Sequence, residues 1–356
     1  MTGSGASVIS LFAGGGGSST GYKMAGCRVL AASEFIASAR STYAANHPDT
    51  LLYGEDIRDL NPDRVLADAG IAVGELDILD GSPPCASFSS CGKREKLWGK
   101  VKAYSDTKQR TDDLFLEYAR FVRHMQPRVF VAENVKGLTI GAAADVLGSA
   151  QTSLFGEHKD TFFHILRECG YRVACKVLNA ADYGVPQTRQ RLFIIGVRSD
   201  IGISPSHPTP TCRKHVTLGE SFSTVVNTAD ELAEVDIKRY EIYKVLEGMP
   251  SDTSRIVYST ESELSKFFQL RRMSPNFPSH TLTQSAGMLS AASIVHWDHR
   301  KFTVPECKAI MSFPLEYKLT GEYREQVERL GRAVPPLMTK AVAEHVVKCI
   351  LKRGAK

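Results

Sequence analysis

Leu76-Asp77-Ile78-Leu79-Asp80-Gly81-Ser82-Pro83-Pro84-Cys85-Ala86-Ser87-Phe88-Ser89 is the stretch from which the rest of the chain can be read. Leu76 to Leu79 form an apolar run that predicts a buried strand. The Pro-Pro pair then imposes an extended turn, because each ring fixes its own φ and keeps the residue before it out of the helical region. Cys85 is thereby launched from a strand end into a rigid loop. In open α/β sheets, ligands bind beyond the carboxyl ends of the strands, and chemistry is placed there.

The same alternation extends in both directions. Residues 7–12 (Ser-Val-Ile-Ser-Leu-Phe) predict a first strand, broken by Gly14, Gly15, Gly16 and Gly17, with a helix from about Ser18. Val29 to Ala32 predicts a second strand that ends at Glu34, and a helix over 37–46 leads towards Asp56. Leu114 to Met125 carries Leu, Phe, Tyr and Val at helical spacing, and 128–132 predicts a strand ending in Glu133-Asn134-Val135. A helix near 160–169 and strands near 171–179 and 191–197 complete the pattern. Strands alternating with helices predict an α/β fold with a doubly wound, Rossmann-like, mainly parallel sheet. After about Ser199 the texture changes: Pro205, Pro208 and Pro210 punctuate a loop, and 215–270 lacks clear alternation, which predicts a second, smaller and irregular domain. Gly331 to Pro336 forms another sharp turn, followed by a terminal helix over roughly 337–352.

Composition bounds the function. The 356 residues are 43% hydrophobic and 23% charged, which suits a soluble globular chain of about two domains. There is no apolar run of about 18 residues and no secretory signal, so neither a membrane partner nor export is expected. The eight cysteines include no C-x-x-C pair, so no metal is expected, and a reducing cytoplasmic setting keeps the thiols free. The net charge of +5 is concentrated: seven basic residues and two acids lie between Lys93 and Arg110, along with Trp98 and Tyr104. That segment reads either as a solvated loop or as a lid that closes over a polyanion beside Cys85.

Taken residue by residue, the strand ends suggest a site. The glycine run after the first strand allows close backbone approach but does not match GxGxxG, so no pyrophosphate is implied. Glu34 at the end of the second strand is the position from which an acid holds ribose hydroxyls. With Asp56 available to a base amino group, the pair points to a nucleoside cofactor without a phosphate chain. Cys85 is a candidate nucleophile, since basic surroundings favour thiolate; Cys91 lacks the turn and reads as loop. Glu133 is a candidate general acid. Gln187, Arg189 and Arg191 alternate, which predicts one face of a strand run-in. Two arginines there call for a carboxylate, a phosphate or a base carbonyl as partner.

Phe12-Ala13-Gly14, Glu34, Asp56, Pro83-Pro84-Cys85, Glu133-Asn134-Val135, Gln187-x-Arg189-x-Arg191 and Gly331-x-Ala333-Val334-Pro335-Pro336 stand in an order and spacing that resemble the DNA cytosine-C5 methyltransferases over nearly the whole chain. The resemblance implies S-adenosyl-L-methionine as cofactor. Phe12 would pack on its adenine, Glu34 hold its ribose, Asp56 its amino group, and Phe35 and Ile57 flank the base. Gly14 to Gly17, Pro83, Ala333 and Val334 complete the cofactor set. A cytosine flipped from double-stranded DNA would enter between Cys85, Glu133 and Arg191, with Arg189 supporting the loop. The implied division is a catalytic, cofactor-binding domain over 1–198 plus 325–356 and a target-recognition domain over 199–324, organised by residues 271–283. A monomer of bacterial or phage origin, cytoplasmic and nucleoid-associated, is implied, with a cognate restriction endonuclease as a partner the family admits.

Two positions depart from the family pattern. Ala86 stands where Gln is usual, and Arg332 where Asn is usual, near the transferred carbon. Two unit positive charges about 4 Å apart repel by roughly 4 kcal/mol at an effective dielectric near 20. A guanidinium facing a sulfonium would therefore disfavour the ordinary donor, and carboxy-S-adenosyl-L-methionine would reverse the sign, giving 5-carboxymethylcytosine. Alternatively, Arg332 turns to an acid, a phosphate or solvent and ordinary methylation proceeds. A tRNA cytosine-C5 methyltransferase and a catalytically silent DNA-binding homologue are the other readings left open.

Overall fold

A computed structural model describes residues 5–83, 102–104, 107–109, 114–136, 165–238, 256–257, 270–288 and 293–352. The chain opens with β1 (Ser7–Leu11), α1 (Gly17–Met24), β2 (Arg28–Ser33), α2 (Ala37–Asn46), β3 (Leu51–Tyr53), α3 (Pro62–Ala69) and β4 (Ile78–Gly81). It continues with β5 (Lys102–Tyr104), β6 (Thr107–Gln109), α4 (Leu114–Met125), β7 (Val129–Val135), β8 (Tyr171–Asn179) and β9 (Gln190–Arg198). Seven strands form one sheet in the order β3-β2-β1-β4-β7-β9-β8. The run from β3 to β7 is parallel, and β9 pairs antiparallel with β7. This is the mainly parallel α/β sheet that the alternation implies.

The inner strands β1 and β4 are buried throughout, as a sheet packed on both faces requires. Helix α4 turns Leu114, Tyr118, Phe121, Val122 and Met125 inward at helical spacing, onto a core that includes Leu11, Leu79 and Phe130. Helix α3 starts where the Asn61 side chain accepts from Asp63 N with Pro62 behind it, and stops at Gly70 in the left-handed region (φ 67°).

Three expectations are corrected. Strand β7 does not stop before Glu133; it runs to Val135, because β9 continues the ladder with Glu133 opposite Phe193 and Val135 opposite Arg191. Strand β9 starts only at Gln190, so Gln187 and Arg189 are not on its face; Gln187 instead bridges to Ser279. The terminal helix is α-helical only to His345, after which Val346–Leu351 widens into π turns.

The chain divides into two compact units: Met1–Leu178 with Gln190–Thr209 and Thr339–Lys356, and Asn179–Arg189 with Pro210–Met338. The second unit contains α5 (Leu218–Ser221), α6 (Ala229–Glu234), β10 (Ile256–Val257), β11 (Leu270–Arg272), β12 (Ile294–Val295), α7 (Val304–Ile310) and α8 (Tyr323–Arg332). Helices α5 and α6 fall inside the stretch expected to be irregular. Each is started by a Thr-x-x-Glu capping box, Thr217 with Glu220 and Thr228 with Glu231, as is α7 by Thr303 with Glu306. The core of this unit gathers Met273, Leu282, Ile294, Phe302, Ile310, Val327 and Leu330. A final helix, α9, covers Pro336–His345. No helix among the described residues is long and apolar enough to cross a membrane.

Candidate active site

The loop between β1 and α1 is built on left-handed backbone. Phe12 has φ 55°, Gly14 56° and Gly16 90°. A Cβ on Gly14 would meet nothing within 4 Å, so glycine serves conformation there, and the loop is open above it. Gly15 completes the loop, and Gly17 is the first residue of α1. Glu34, buried just past β2, faces this loop: Oε2 accepts from Gly14 N at 2.7 Å and Oε1 from Ile36 N at 2.7 Å. Phe35 beside it is 39% exposed, whereas Ile57 is buried. The Asp56 carboxylate accepts twice from Arg58 Nη1, at 3.0 and 2.8 Å, and once from Arg58 N. Arg120 of α4 donates to Ile57 O at 2.6 Å and also to Leu60 O, which fixes the loop carrying Asp56.

These residues fit a nucleoside without a phosphate chain. A buried carboxylate at the glycine loop repels a pyrophosphate, whereas a diol donates to it. A carboxylate has about four acceptor sites, and each oxygen of Glu34 meets one backbone amide. Glu34 is thus rigidly held at the loop, with an acceptor chemistry suited to a diol.

At the other side of the sheet, register places a row of polar groups on one face. Ser10 lies opposite Asp80, Asp80 opposite Val131, and Val135 opposite Arg191. Because side chains alternate along a strand, Val131, Glu133 and Val135 share a face, and so Ser10, Asp80, Glu133 and Arg191 share it too. Arg191 Nε sits 3.0 Å from Glu133 Oε1, both side chains largely buried. Burial pulls the Arg191 guanidinium down from its usual value while Glu133 opposes that pull. Next to Glu133, Asn134 points the other way and its Nδ2 donates to Pro83 O at 3.0 Å. That bond holds the segment two residues before Cys85.

Arg189 is 1% exposed and has separate partners: Nη1 donates to Leu282 O at 3.0 Å and Nη2 to Gly331 O at 2.9 Å. The two arginines of Gln187-x-Arg189-x-Arg191 therefore do different work. One ties together backbone carbonyls of the second unit, and the other pairs with Glu133. In the last motif, Gly331 is required by packing, since a Cβ there would lie 2.4 Å from the Thr283 carbonyl. Arg332 closes α8, and its Nε sits 2.9 Å from Glu328 Oε1, one turn back on the same helix. Ala333 leaves the helix in extended conformation and Val334 is buried.

Asp80, which no sequence motif singles out, lies in the same polar row. It is 3% exposed, its Oδ2 accepts from Ser10 Oγ at 2.8 Å and its Oδ1 from Tyr22 Oη at 3.2 Å. The available signal was a charged residue at the end of a run otherwise apolar enough to be a central strand. Cys85, with Pro84 and Ala86, lies outside the described residues. So does most of the basic segment 93–110, of which 102–104 and 107–109 form an antiparallel pair with Lys102 opposite Gln109.

The glycine loop with Glu34 and the Glu133–Arg191 pair thus lie on one sheet. The family of C-5 cytosine-specific DNA methylases matches residues 6–348, and the chain belongs to it. Type II methyltransferase M.DdeI of Desulfomicrobium norvegicum is 30% identical, aligned over 95% of this chain and 88% of its own length. Type II methyltransferase M.NgoFVII of Neisseria gonorrhoeae is also 30% identical, over 96% and 86%. Among solved structures, a prophage-encoded E. coli protein described as a DNA modification methyltransferase superposes with a TM-score of 0.70 at 19% identity, over 98% of this chain and 99% of that one. DNMT2 of Spodoptera frugiperda superposes with a TM-score of 0.63 at 18% identity, over 99% and 100%. At those identities the superpositions speak for the fold alone.

Proposed function

We propose that the protein transfers a methyl group from S-adenosyl-L-methionine to C5 of a cytosine flipped out of double-stranded DNA. The observation that carries this reading is the Glu133–Arg191 pair on the same sheet edge at which Asn134 holds Pro83, and with it the run to Cys85. The donor, when bound, supplies an electrophilic methyl carbon; Phe12, Glu34, Phe35, Asp56 and Ile57 would hold its nucleoside. C5 of cytosine is a poor nucleophile. The Cys85 sulfur adds to C6, and the thiol proton is kept at ring N3 by Glu133, which leaves an enamine with electron density at C5. Arg191 fixes the orientation of Glu133 and presents positive charge towards the O2 side of the ring. After methylation, loss of the C5 proton and expulsion of the Cys85 sulfur restore the ring.

On this reading, residues 1–198 and 325–356 carry catalysis, and 199–324 read the target. DNA is favoured over tRNA because the relatives at 30% identity are Type II methyltransferases, while the likeness to DNMT2 rests on fold. The pairing of Arg332 with Glu328 favours the ordinary donor, since the neighbouring carboxylate offsets the charge that a sulfonium would meet.

The test is to incubate the protein with mixed-sequence duplex DNA and each donor in turn, then weigh the nucleosides. The expected product is 5-methylcytosine, lost in Cys85→Ser and unchanged in Arg332→Asn. Formation of 5-carboxymethylcytosine that depends on Arg332 would replace the donor assignment. Undiminished methylation by Cys85→Ser would overturn the adduct. Failure to form any adduct with 5-fluorocytosine DNA would mark a silent DNA-binding protein.

A further inference from the structure

Asp80 carries a cost that its surroundings do not repay in stability. It sits in the middle of a parallel strand pair, opposite Ser10 on β1 and Val131 on β7. Its two oxygens accept from two hydroxyls, Ser10 Oγ and Tyr22 Oη, and no basic side chain neutralises it in those bonds. Among the described residues, the polar and titratable groups that face it are Ser10 from β1, Tyr22 from α1, Tyr43 from α2, Tyr118 from α4 and Glu133 from β7. Burial holds all three tyrosines neutral, with Tyr43 pushed to about 12 and Tyr22 and Tyr118 pushed well above their usual value. Glu133 adds like charge. Burial first, then Glu133, lifts Asp80 to about 7 against the lowering effect of its two hydrogen bonds.

Ser10 and Tyr22 have a particular position in the chain. Ser10 is in β1, which ends at Leu11, and Tyr22 is in α1, which starts at Gly17; between them lies the whole glycine loop. Asp80 itself is followed by Gly81, which touches the Tyr118 ring so closely that a Cβ would lie 2.4 Å from it, and then by Ser82 and Pro83. One carboxylate thus spans both ends of the loop that faces Glu34, from the strand that leads to the Cys85 turn.

We propose that Asp80 is a positioning residue whose ionised carboxylate, by accepting from Ser10 and Tyr22 at once, sets both ends of the glycine loop and with them the affinity for S-adenosyl-L-methionine. Protonation removes one of the two acceptors, because the acid becomes a donor at one oxygen. Asn does the same permanently without a change of shape. The inference rests on the donor assignment made above.

The experiment is equilibrium binding of S-adenosyl-L-methionine to the full chain from pH 5.5 to 8.5, for the unaltered protein, Asp80→Asn and Tyr22→Phe, alongside thermal unfolding. Titrations of the donor itself are common to all three and cancel in the ratio of dissociation constants. Asp80→Asn is expected to bind several-fold more weakly than the unaltered protein at pH 8.5 and equally at pH 5.5, with the ratio crossing over near pH 7. Its unfolding temperature at pH 8.5 should rise, since a buried charge has been removed. A ratio that is one throughout, or constant with pH, overturns the proposal. Should Asp80→Asn fail to fold, Tyr22→Phe decides: weaker binding at pH 8.5 supports the proposal, and unchanged binding overturns it. If the unaltered protein binds no S-adenosyl-L-methionine at any pH, the donor assignment itself falls.

Discussion

Glu133 and Arg191 lie on antiparallel neighbours two rungs apart, and their side chains meet at 3.0 Å. The strands alone set this geometry, so the pair exists before any base arrives. Breaking one member of a buried ion pair typically costs about 3–5 kcal/mol, because the other charge is stranded. Glu133→Gln and Arg191→Met should therefore each lower the unfolding temperature as well as activity. The double variant separates the two effects. It should regain most of the lost stability, while kcat stays depressed by about a hundredfold or more, the scale of removing a positioned acid or a charge-stabilising donor. Calorimetry and single-turnover methylation on the four proteins measure both quantities. Recovery of activity in the double variant would mean that the pair serves only packing.

Asn134 acts through Pro83. Its Nδ2 bond to the Pro83 carbonyl is buried, and removing the donor leaves an acceptor unpaired at a cost of about 1–3 kcal/mol. Asn134→Ala should therefore slow adduct formation on 5-fluorocytosine DNA by tenfold or more while donor affinity falls much less, because Pro83 is only one member of the cofactor set and the glycine loop and Glu34 are held by other bonds. A parallel loss of donor affinity would show that the two halves of the site are not independent.

Gly331 is a packing requirement within the second unit. An added methyl would press on the Thr283 carbonyl and the Gln284 amide, backbone atoms that cannot step aside. Overpacking of this kind costs about 1–3 kcal/mol. Gly331→Ala should lower the unfolding temperature and disturb the Arg189 bond to the Gly331 carbonyl, whereas Arg332→Ala, at a half-buried helix end, should leave stability almost unchanged. Equal effects of the two substitutions would refute this account.

How much of this could be read from the chain follows from what each residue needs. The sheet was legible because β1, β2, β4 and β7 are apolar runs bounded by glycine, acid or proline, and because α4 repeats its apolar residues at helical spacing. Helices α3, α5, α6 and α7 are not among the expectations: the signals that mark them, Asn61-Pro62 with Gly70 and the Thr-x-x-Glu boxes, are only a few residues long and do not stand out without a long apolar period around them. Glu34 and Glu133 could be placed because both stand where strands end or nearly end. The different fates of Arg189 and Arg191 could not, since strict alternation assumes a strand that reaches back to Gln187, and it is the tertiary bridge to Ser279 that ends it. Asp80 was hidden for a similar reason: nothing local says whether a carboxylate in an apolar run faces water or two hydroxyls.

Buried histidines are expected to govern the acid limit of stability, three of them most strongly. Burial lowers His47 and His207 to about 4 and His296 to about 3. Burial holds His207 neutral against the opposing pull of its Nε2 contact with Phe193 O at 2.9 Å, which favours the charged ring. In the unfolded chain each titrates near its ordinary value, about 6.5. Between those limits the unfolded state binds more protons, so stability is fully present above about pH 6.5 and is lost as the pH falls towards 4, by about 1.4 kcal/mol per pH unit for each group at most. Asp80 works in the opposite direction over nearly the same window. Its raised value means the folded state holds the proton more tightly, and that contribution is lost as the pH rises through about 7. Burial lowers His280 and His345 as well, so with five histidines against one carboxylate the unfolding temperature should fall between pH 7 and pH 5. His207→Gln, which keeps a donor for Phe193 O but cannot titrate, should flatten that fall, and Asp80→Asn should steepen it. Curves of unfolding temperature against pH that run parallel for all three proteins would show that these buried groups do not govern the acid limit.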